Sequence, residues 1–193
     1  MFDIVFCRQI HLKGKWKMNR WLRTLITFIR AQFLKDINPD EETSLNFRVW
    51  ITDVDLSIMN NAAMLSITEM GRIDLMIRTG FLKHFWKNKL YVPLASISAQ
   101  FRRPLKRFQK FQLKTQLIYW DEKWIYISHR ILREEKIIAV ALAKCTVKKG
   151  TELIPFESII HKLNWGMKPK NRPEMIDRFE RGETLFLKTV KHE

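Results

Sequence analysis

The sequence has few cysteines and none of the short motifs that mark common metal and nucleotide sites. Its two cysteines, Cys7 and Cys145, form no C-x-x-C pair, which fits a reducing compartment and gives no sign of a disulfide framework or a zinc site. The chain also lacks an H-E-x-x-H pattern, a G-x-x-x-x-G-K-[ST] loop, a G-x-G-x-x-G turn and a G-x-S-x-G elbow. These absences argue against zinc hydrolases, P-loop NTPases, Rossmann enzymes and α/β-hydrolases, and we expect no bound metal or cofactor.

Glycine and proline are also scarce, with six of each in 193 residues, while 46% of the residues are hydrophobic. This composition is typical of a folded globular chain that is long enough for one compact domain with extensions. The formal net charge of +15 favours anionic partners such as nucleic acid, acidic lipid headgroups or a phosphorylated carrier like coenzyme A. Because the basic residues are spread out and no nucleic-acid motif is present, we expect no nucleic-acid partner.

Acidic residues are missing from residues 4–35, where apolar side chains recur at helical spacing. The apolar face comprises Met18, Leu22, Leu25, Ile26, Ile29 and Phe33, and the opposite face carries Arg20, Arg23, Thr27 and Arg30. The stretch is too short and too charged to span a bilayer, and it does not end in a secretory cleavage site. Two interpretations stay open: a helix lying on an anionic membrane surface, or an amphipathic helix packed on the protein's own core or on a second subunit. The polar sequence DINPDEET then reads as a linker, so we assign residues 1–43 to a leader helix and linker.

A long apolar helix is predicted from about Asn61 to Arg78, after a first strand over Ser44–Thr52. Asn60 or Asn61 suits the N-cap of this helix, and Gly80 suits its C-terminal stop. Because the helix is apolar on more than one side, it should be largely buried.

Alternation with a period of two then predicts four strands, in the segments YVPLASISAQF (91–101), KFQLKTQLIYW (110–120), WIYISHRILR (124–133) and KIIAVALAKCTV (136–147). The short turns between these segments indicate antiparallel hairpins. The sequence therefore predicts an α+β fold over residues 44–150, with an antiparallel sheet wrapped around one long central helix. Residues 151–193, which include the short helix candidate EMIDRFERG, form a C-terminal extension.

Three stretches of this region carry a resemblance. Residues 47–80, FRVWITDVDLSIMNNAAMLSITEMGRIDLMIRTG, contain a D-x-D…N-N loop followed by an E-x-G-R helix. Together with YWDEKWIYISHRI (119–131) and IIAVALAKCTVKKG (137–150), they resemble the hotdog-fold acyl-CoA thioesterases of the branch related to 4-hydroxybenzoyl-CoA thioesterase. The sequence from Met18, MNRWLRTLITFIRAQF, is similar to the leader of related bacterial members, so residues 1–17 could be an upstream extension.

The resemblance implies a homodimer with acyl-CoA sites at the subunit interface. The second aspartate of the D-x-D motif is the catalytic carboxylate in several branches of the family, and it is Asp55 here. Other branches use an acid on the central helix, matched here by Glu69, which could instead pair with Arg72 one turn on. Relatives usually carry a histidine two residues before the Asn-Asn pair, where this chain has Ile58. The expected activity is hydrolysis of an acyl-CoA thioester, and the alternative is a non-catalytic acyl-CoA- or lipid-binding protein at the membrane surface.

The residues around this loop are also suited to the chemistry. Asp55 could act as base or nucleophile, and the amides of the helix that starts near Asn60 and Asn61 could hold an oxyanion. The same asparagines could serve only as helix caps. Arg102 and Arg103, with Lys106, Arg107 and Lys110, form a basic loop at the end of a strand. These residues could meet the phosphates of coenzyme A, or simply form a solvated positive sheet edge. We expect a cytoplasmic protein that its amino-terminal helix could hold at the membrane surface.

Overall fold

The computed structural model describes residues 21–166 and 171–191, so Cys7, Met18 and the expected upstream extension 1–17 lie outside the described residues. The first described element is the helix α1 (21–33). The elements that follow are β1 (Thr43–Arg48), a 3-10 turn (Ile51–Asp53), β2 (Val54–Asp55), β3 (Ile58–Met59), α2 (Asn61–Arg78), α3 (Phe81–Asn88), β4 (Leu94–Phe101), β5 (Lys110–Trp120), β6 (Ile125–Arg133), β7 (Lys136–Cys145), β8 (Lys148–Lys149), β9 (Glu152–Leu153), α4 (Phe156–Leu163) and α5 (Glu174–Lys191).

Five of the strands form one antiparallel sheet in the order β1-β5-β6-β7-β4. The turn from β6 to β7 contains Glu134 and Glu135, whose φ angles are 50° and 63°. Two consecutive positive φ angles are those of a type I′ turn, which matches the twist of the two strands it joins. Among the described residues, β1 and β4 form the two edges of this sheet.

Helix α2 lies across one face of the sheet, as the sequence predicts. Its buried side chains pack against Leu113 and Leu117 of β5 and the small Ala143 of β7. Gly71 allows the closest approach, because a Cβ at this position would lie 2.9 Å from Leu113 Cδ2 and closer still to the hydroxyl of Thr115. The predicted α+β architecture, with a sheet wrapped around one central helix, is therefore confirmed.

The other face of the sheet is covered in part by α5. Ile176 is completely buried there, against Tyr126 and Leu142. Lys144 extends from β7 and forms ion pairs of 2.8 Å with both Glu180 and Glu183 of the helix. The sequence predicts only the first half of this helix, because its contacts with the sheet come from residues far away in the chain.

Three local features differ from the sequence prediction. The first strand ends at Arg48, and a 3-10 turn takes the place of the predicted strand end at Thr52. Helix α3 was not predicted. In β5 the pairing register shifts between Leu117 and Tyr119, so Trp120 is buried on the α2 face while Tyr119 packs on the α5 face. A β-bulge of this kind breaks the alternation that a strand prediction relies on.

Helix α1 packs on α2 through its polar face. Thr27 and Ala31 are buried, and the hydroxyl of Thr24 lies 3.3 Å from the sulfur of Met70 on α2. The large apolar side chains point outwards and are all about half exposed or more; they are Trp21, Leu22, Leu25, Ile26, Ile29 and Phe33. The expected packing of this apolar face on the protein's own core is therefore not observed. No helix among the described residues combines the length and apolar character needed to cross a bilayer.

Candidate active site

The two short strands β2 and β3 form a hairpin that presents Asp55. Asp55 pairs with Ile58 across the hairpin, and a two-residue turn through Leu56 joins the strands. Leu56 is fully exposed and adopts a φ of 57°, a conformation that non-glycine residues rarely adopt outside tight turns. Side chains directly opposite each other in an antiparallel pair lie about 5 Å apart at Cβ. Ile58, which holds the usual histidine position, therefore lies beside the carboxylate of Asp55.

Asn60 joins this hairpin to the start of α2. Its Oδ1 accepts a hydrogen bond of 2.6 Å from the amide of Ala62, so Asn60 is the N-cap of the helix. Its Nδ2 donates to Oδ2 of Asp55. One side chain therefore caps the helix and orients the exposed carboxylate next to the helix amino terminus.

The first turn of α2 can stabilise negative charge. Asn61 is its exposed first residue, and in the described part of the chain the Ala62 and Met64 amides are already bonded to Asn60. The amides of Asn61 and Ala63 are thus the donors of this turn that an incoming oxyanion could meet. The positive end of the helix dipole adds to their effect. Asn60 is a cap as the sequence allowed, while Asn61 lies one position inside the helix.

The first aspartate of the D-x-D motif, Asp53, is buried and has a different role from Asp55. Its two carboxylate oxygens accept hydrogen bonds of 3.0 and 2.6 Å from the guanidinium of Arg23 on α1. Oδ2 of Asp53 also accepts a 2.8 Å bond from the amide of Trp50. Sequence reasoning missed Arg23 as part of this loop, because the two residues lie 30 positions apart and no local pattern links them.

Glu69, the second candidate acid, lies half-buried in the middle of α2. At about 1.5 Å per residue it is about 14 Å along the helix axis from Asn60, so within one chain it is not brought together with Asp55. Its charge acts on Arg72: burial lowers the pKa of Arg72, and the Glu69 carboxylate partly offsets this. Glu69 and Asp55 are therefore two separate candidate positions for the chemistry.

His129, on β6, is buried in the core between α2 and the sheet. Its Nε2 lies 3.4 Å from the guanidinium of Arg72, and its Nδ1 lies 3.0 Å from the hydroxyl of Thr115. Because a guanidinium can only donate, Nε2 is assigned as the acceptor and Nδ1 carries the proton. Burial, together with the positive charge of Arg72, lowers the pKa of His129 to about 3.

The basic loop after β4 approaches the Asp55 hairpin through Lys106. Lys106 is bridged to Ile58 through the backbone, and the amide of Met59 donates a 2.7 Å bond to the carbonyl of Leu105. Arg102 and Arg103 are exposed further back, where their amides donate to the carbonyl of Ile138. The guanidinium of Arg103 also donates to a β7 backbone carbonyl at 2.9 Å. The sequence places Lys106 in the basic loop, and its bridge to Ile58 places it beside the hairpin.

A narrow apolar cleft runs between α2 and the β4 side of the sheet. Its walls include Leu65 and Thr68 of α2, Ala99 and Phe101 of β4, and Ala141 of β7. The small side chains of the strands leave this space beside the helix. The cleft lies close to the free edge of the sheet, within reach of any chain that pairs with β4.

Comparison with known proteins identifies the family of the chain. The thioesterase-like superfamily matches residues 49–177, about two thirds of the chain. Protein THEM6 of Drosophila melanogaster is 27% identical over 170 residues, which cover 86% of this chain and 88% of that protein. A probable thioesterase of Saccharomyces cerevisiae is 34% identical over 70 residues, but the match spans only 35% of this chain and 30% of that protein.

Solved structures agree on the fold. The probable thioesterase YbaW of Escherichia coli superposes with a TM-score of 0.59 at 21% identity, over 65% of this chain and 98% of that one. At this identity the likeness concerns the fold alone, and it is the fold that the D-x-D…N-N loop and the wrapped central helix indicate. The chain therefore belongs to the thioesterase-like superfamily and has the hotdog fold.

Proposed function

We propose that this protein hydrolyses an acyl-CoA thioester to a free acid and coenzyme A. The observation that carries the proposal is the Asp55 carboxylate, hydrogen-bonded by Asn60 at the amino terminus of the central helix. This arrangement combines a base with a set of oriented amide donors in one exposed loop. Membership in the thioesterase-like superfamily supports the reaction class.

In the proposed reaction Asp55 removes a proton from a water molecule whose oxygen attacks the thioester carbonyl carbon. The carbonyl oxygen becomes an oxyanion that the first amides of α2 stabilise. When the oxyanion collapses, the carbon–sulfur bond breaks and the proton passes from Asp55 to the departing thiolate of coenzyme A. In the variant in which Asp55 attacks directly, the carbon–sulfur bond breaks, the thiolate of coenzyme A leaves and a mixed anhydride forms. Water then hydrolyses the anhydride to the free acid and restores the Asp55 carboxyl group, and the proton released goes to the thiolate. Glu69 is the candidate that would orient water or substrate.

The cleft beside α2 and the basic loop suit the two ends of such a substrate. The lining beside Leu65 is apolar, but the cleft has a volume of about 10 Å³, about the space that one water needs, so it would have to widen to take an acyl chain. Arg102, Arg103 and Lys106 would meet the phosphates of coenzyme A, because guanidinium and ammonium groups bind phosphate by charge-assisted hydrogen bonds.

The test is release of free thiol from a panel of acyl-CoAs of different chain length. Asp55→Asn should abolish turnover while the protein stays folded, because an amide cannot take up the proton. Glu122→Gln, which changes an exposed acid in the β5–β6 turn, is the matched control and should leave turnover unchanged. Turnover that survives in Asp55→Asn would move the chemistry to Glu69, for which Glu69→Gln is the corresponding variant.

One observation favours a second function, in which the protein binds acyl-CoA or lipid without hydrolysis. Ile58 lies opposite Asp55, where a histidine side chain would contact the carboxylate. If the wild type binds acyl-CoA but releases no thiol, this alternative is the better account. Ile58→His would then be expected to create turnover, since it places an imidazole beside Asp55.

We also propose that two copies pair through β4. Among the described strands β4 is an edge of the sheet, it is eight residues long, and Leu94 and Phe101 at its ends are exposed. A long edge strand offers a row of backbone donors and acceptors to another strand. A second copy of β4 would satisfy these groups and would cover the acyl-binding cleft beside Ala99.

The outward face of α1 is proposed to lie on a membrane surface, with the protein in the cytoplasm. Phe28 contacts Trp86 of α3 at a ring distance of 5.9 Å, so the apolar surface of α1 continues onto the neighbouring helix. Trp86 is itself 68% exposed and is flanked by the exposed Lys83 and Lys87. Exposed apolar and aromatic side chains beside lysines are typical of helices that bind the interface of anionic membranes.

A further inference from the structure

We infer that Arg23 is a positioning residue for the Asp55 hairpin, and that helix α1 thereby couples membrane contact to the order of the active site. This inference rests on the proposed function of Asp55. It concerns a residue that lies outside the hotdog sheet and its central helix.

Arg23 makes three hydrogen bonds to the segment that runs from the end of β1 to the Asp55 hairpin. Its guanidinium bonds both carboxylate oxygens of Asp53 and also donates a 3.0 Å bond to the backbone carbonyl of Arg48. Both partners of the ion pair are shielded from water, with side-chain exposures of 12% for Arg23 and 6% for Asp53. A bidentate pair of this kind fixes direction as well as distance, which a single contact with lysine cannot do. The end of β1 and the start of the D-x-D loop are therefore held to α1.

Asp53 passes this constraint to the catalytic carboxylate through two short links. The carbonyl of Asp53 accepts a 2.8 Å bond from the amide of Asn60, which closes the base of the hairpin. The side chain of the same Asn60 donates to Asp55. The position of Asp55 relative to the helix amino terminus is thus determined at Asn60, and Asn60 is held by Asp53. Without Arg23 the buried Asp53 carboxylate would lose two charge-assisted hydrogen bonds, which would loosen the hold of α1 on the loop.

The other face of α1 points away from the protein. Arg23, Thr24, Thr27 and Ala31 turn inwards, while Leu22, Leu25, Ile26 and Ile29 turn outwards. A surface that binds the outward face acts on the same rigid helix that holds Asp53. Any ligand that stabilises the seated position of α1 must also stabilise the ordered hairpin, because the coupling between two sites is reciprocal. The ligand we assign is the interface of an anionic membrane.

The first experiment compares Arg23→Gln with Arg178→Gln, which removes an exposed arginine from α5. Arg23→Gln should lower kcat for acyl-CoA by at least about tenfold with little change in KM, because a misplaced catalytic group costs rate more than binding. Arg23→Lys should give an intermediate kcat, and Arg178→Gln should match the wild type. Equal kcat values in folded wild type and Arg23→Gln would overturn the inference while leaving the proposed function intact.

The second experiment does not depend on turnover, so it separates the two ideas. Hydrogen exchange is measured at the amides of Asp53 and Asn60, which bond to the carbonyls of Trp50 and Asp53 at 3.0 and 2.8 Å. Both amides should exchange faster in Arg23→Gln than in wild type, while the β7 amides stay unchanged. Vesicles of phosphatidylcholine with phosphatidylserine should slow this exchange in wild type but not in Arg23→Gln.

Two results would overturn the inference. Equal exchange of the Asp53 and Asn60 amides in wild type and Arg23→Gln would show that Arg23 does not hold the hairpin. Vesicle binding that leaves exchange at these amides unchanged in wild type would show that the helix does not transmit membrane contact. Absence of turnover in the wild type would instead overturn the proposed function, and the exchange result would still decide the role of Arg23.

Discussion

Asn60 and Asp55 form one unit, in which the amide nitrogen of Asn60 donates to the carboxylate of Asp55 while its amide oxygen caps helix α2. The catalytic candidate is therefore oriented by the same side chain that begins the helix. This relationship explains why short polar side chains crowd the entrance of the most apolar helix in the chain. Asn60 caps the helix and holds the Asp55 carboxylate by a hydrogen bond, while Asp53 is buried.

Two substitutions of Asn60 should separate its two tasks. Asn60→Ser keeps a capping oxygen but is too short to reach Asp55 at the same time, so kcat should fall with little loss of stability. Asn60→Ala removes both contacts, so kcat should fall by the same amount. In addition, the free energy of unfolding should fall by about 1 kcal/mol, the usual value of an N-cap. Urea unfolding and thiol release measure the two effects. Equal kcat in Asn60→Ser and wild type would show that the Asp55 bond has no part in turnover.

The approach of α2 to the sheet at Gly71 can be tested with a matched pair of glycines. Gly71→Ala places a methyl group against Thr115 and Leu113, so it should lower the unfolding free energy by about 1–3 kcal/mol. Gly182→Ala in α5 meets no atom within 4 Å and should raise it by up to about 1 kcal/mol, because alanine favours helix. Denaturant unfolding of both variants provides the measurement. A Gly71→Ala variant with the same free energy of unfolding as the wild type would contradict the close approach of α2 to β5.

His129 should make stability depend on pH in a defined window. Its pKa is about 3 in the folded protein and near 6.5 when unfolded, so between these values only the unfolded chain binds the proton. Stability from the neutral ring is therefore complete above pH 6.5 and declines as the pH falls towards 3, by at most about 1.4 kcal/mol per pH unit. His129→Gln should flatten this slope in urea unfolding at several pH values. The exposed His161→Gln is the control, and an unchanged slope in His129→Gln would contradict the prediction.

Pairing of two copies through β4 predicts a specific pattern of cross-links. In a Cys7→Ser background, which keeps the buried Cys145, one further cysteine is introduced at Ser96, Ser98 or Gln100, and the products are separated by size after oxidation. At least one of them should form a disulfide-linked dimer, because positions near the two-fold axis of an antiparallel pair face their own copy. Asn46→Cys on the opposite sheet edge, β1, should stay monomeric under the same conditions. Cross-linking at Asn46 alone would place the interface at β1 and contradict pairing through β4.

Membrane contact through α1 should be lost when charge is placed on its outward face. Ile26→Glu/Ile29→Glu should pellet less with phosphatidylserine-containing vesicles than the wild type, because two charges replace two exposed apolar side chains. Leu185→Glu/Phe186→Glu makes the same charge change on exposed side chains of α5 and is the matched control. Equal pelleting of the α1 variant and the wild type would rule out this face as the contact.

The elements whose signals are local could be predicted from the sequence. Asn60 caps α2, and the helix spans Asn61–Arg78 as its periodicity indicates. Strand β5 has the predicted bounds because its alternation is regular up to Leu117. The bulge after Leu117 could not be predicted, since it depends on how β5 pairs with β6. Helix α3 was not predicted, although only Thr79 and Gly80 lie between it and α2.

The sequence by itself determined the fold family, the central helix, its cap and the loop that carries Asp55, because each depends on neighbouring residues in the chain. Tertiary structure alone decided which face of α1 is buried. Helical periodicity shows that the two faces differ, but the inward direction follows from the ion pair between Arg23 and the buried carboxylate of Asp53. Tertiary structure also decided that Ile58 lies opposite Asp55 and that Lys106 lies beside Ile58. These two contacts follow from strand pairing and not from spacing along the chain.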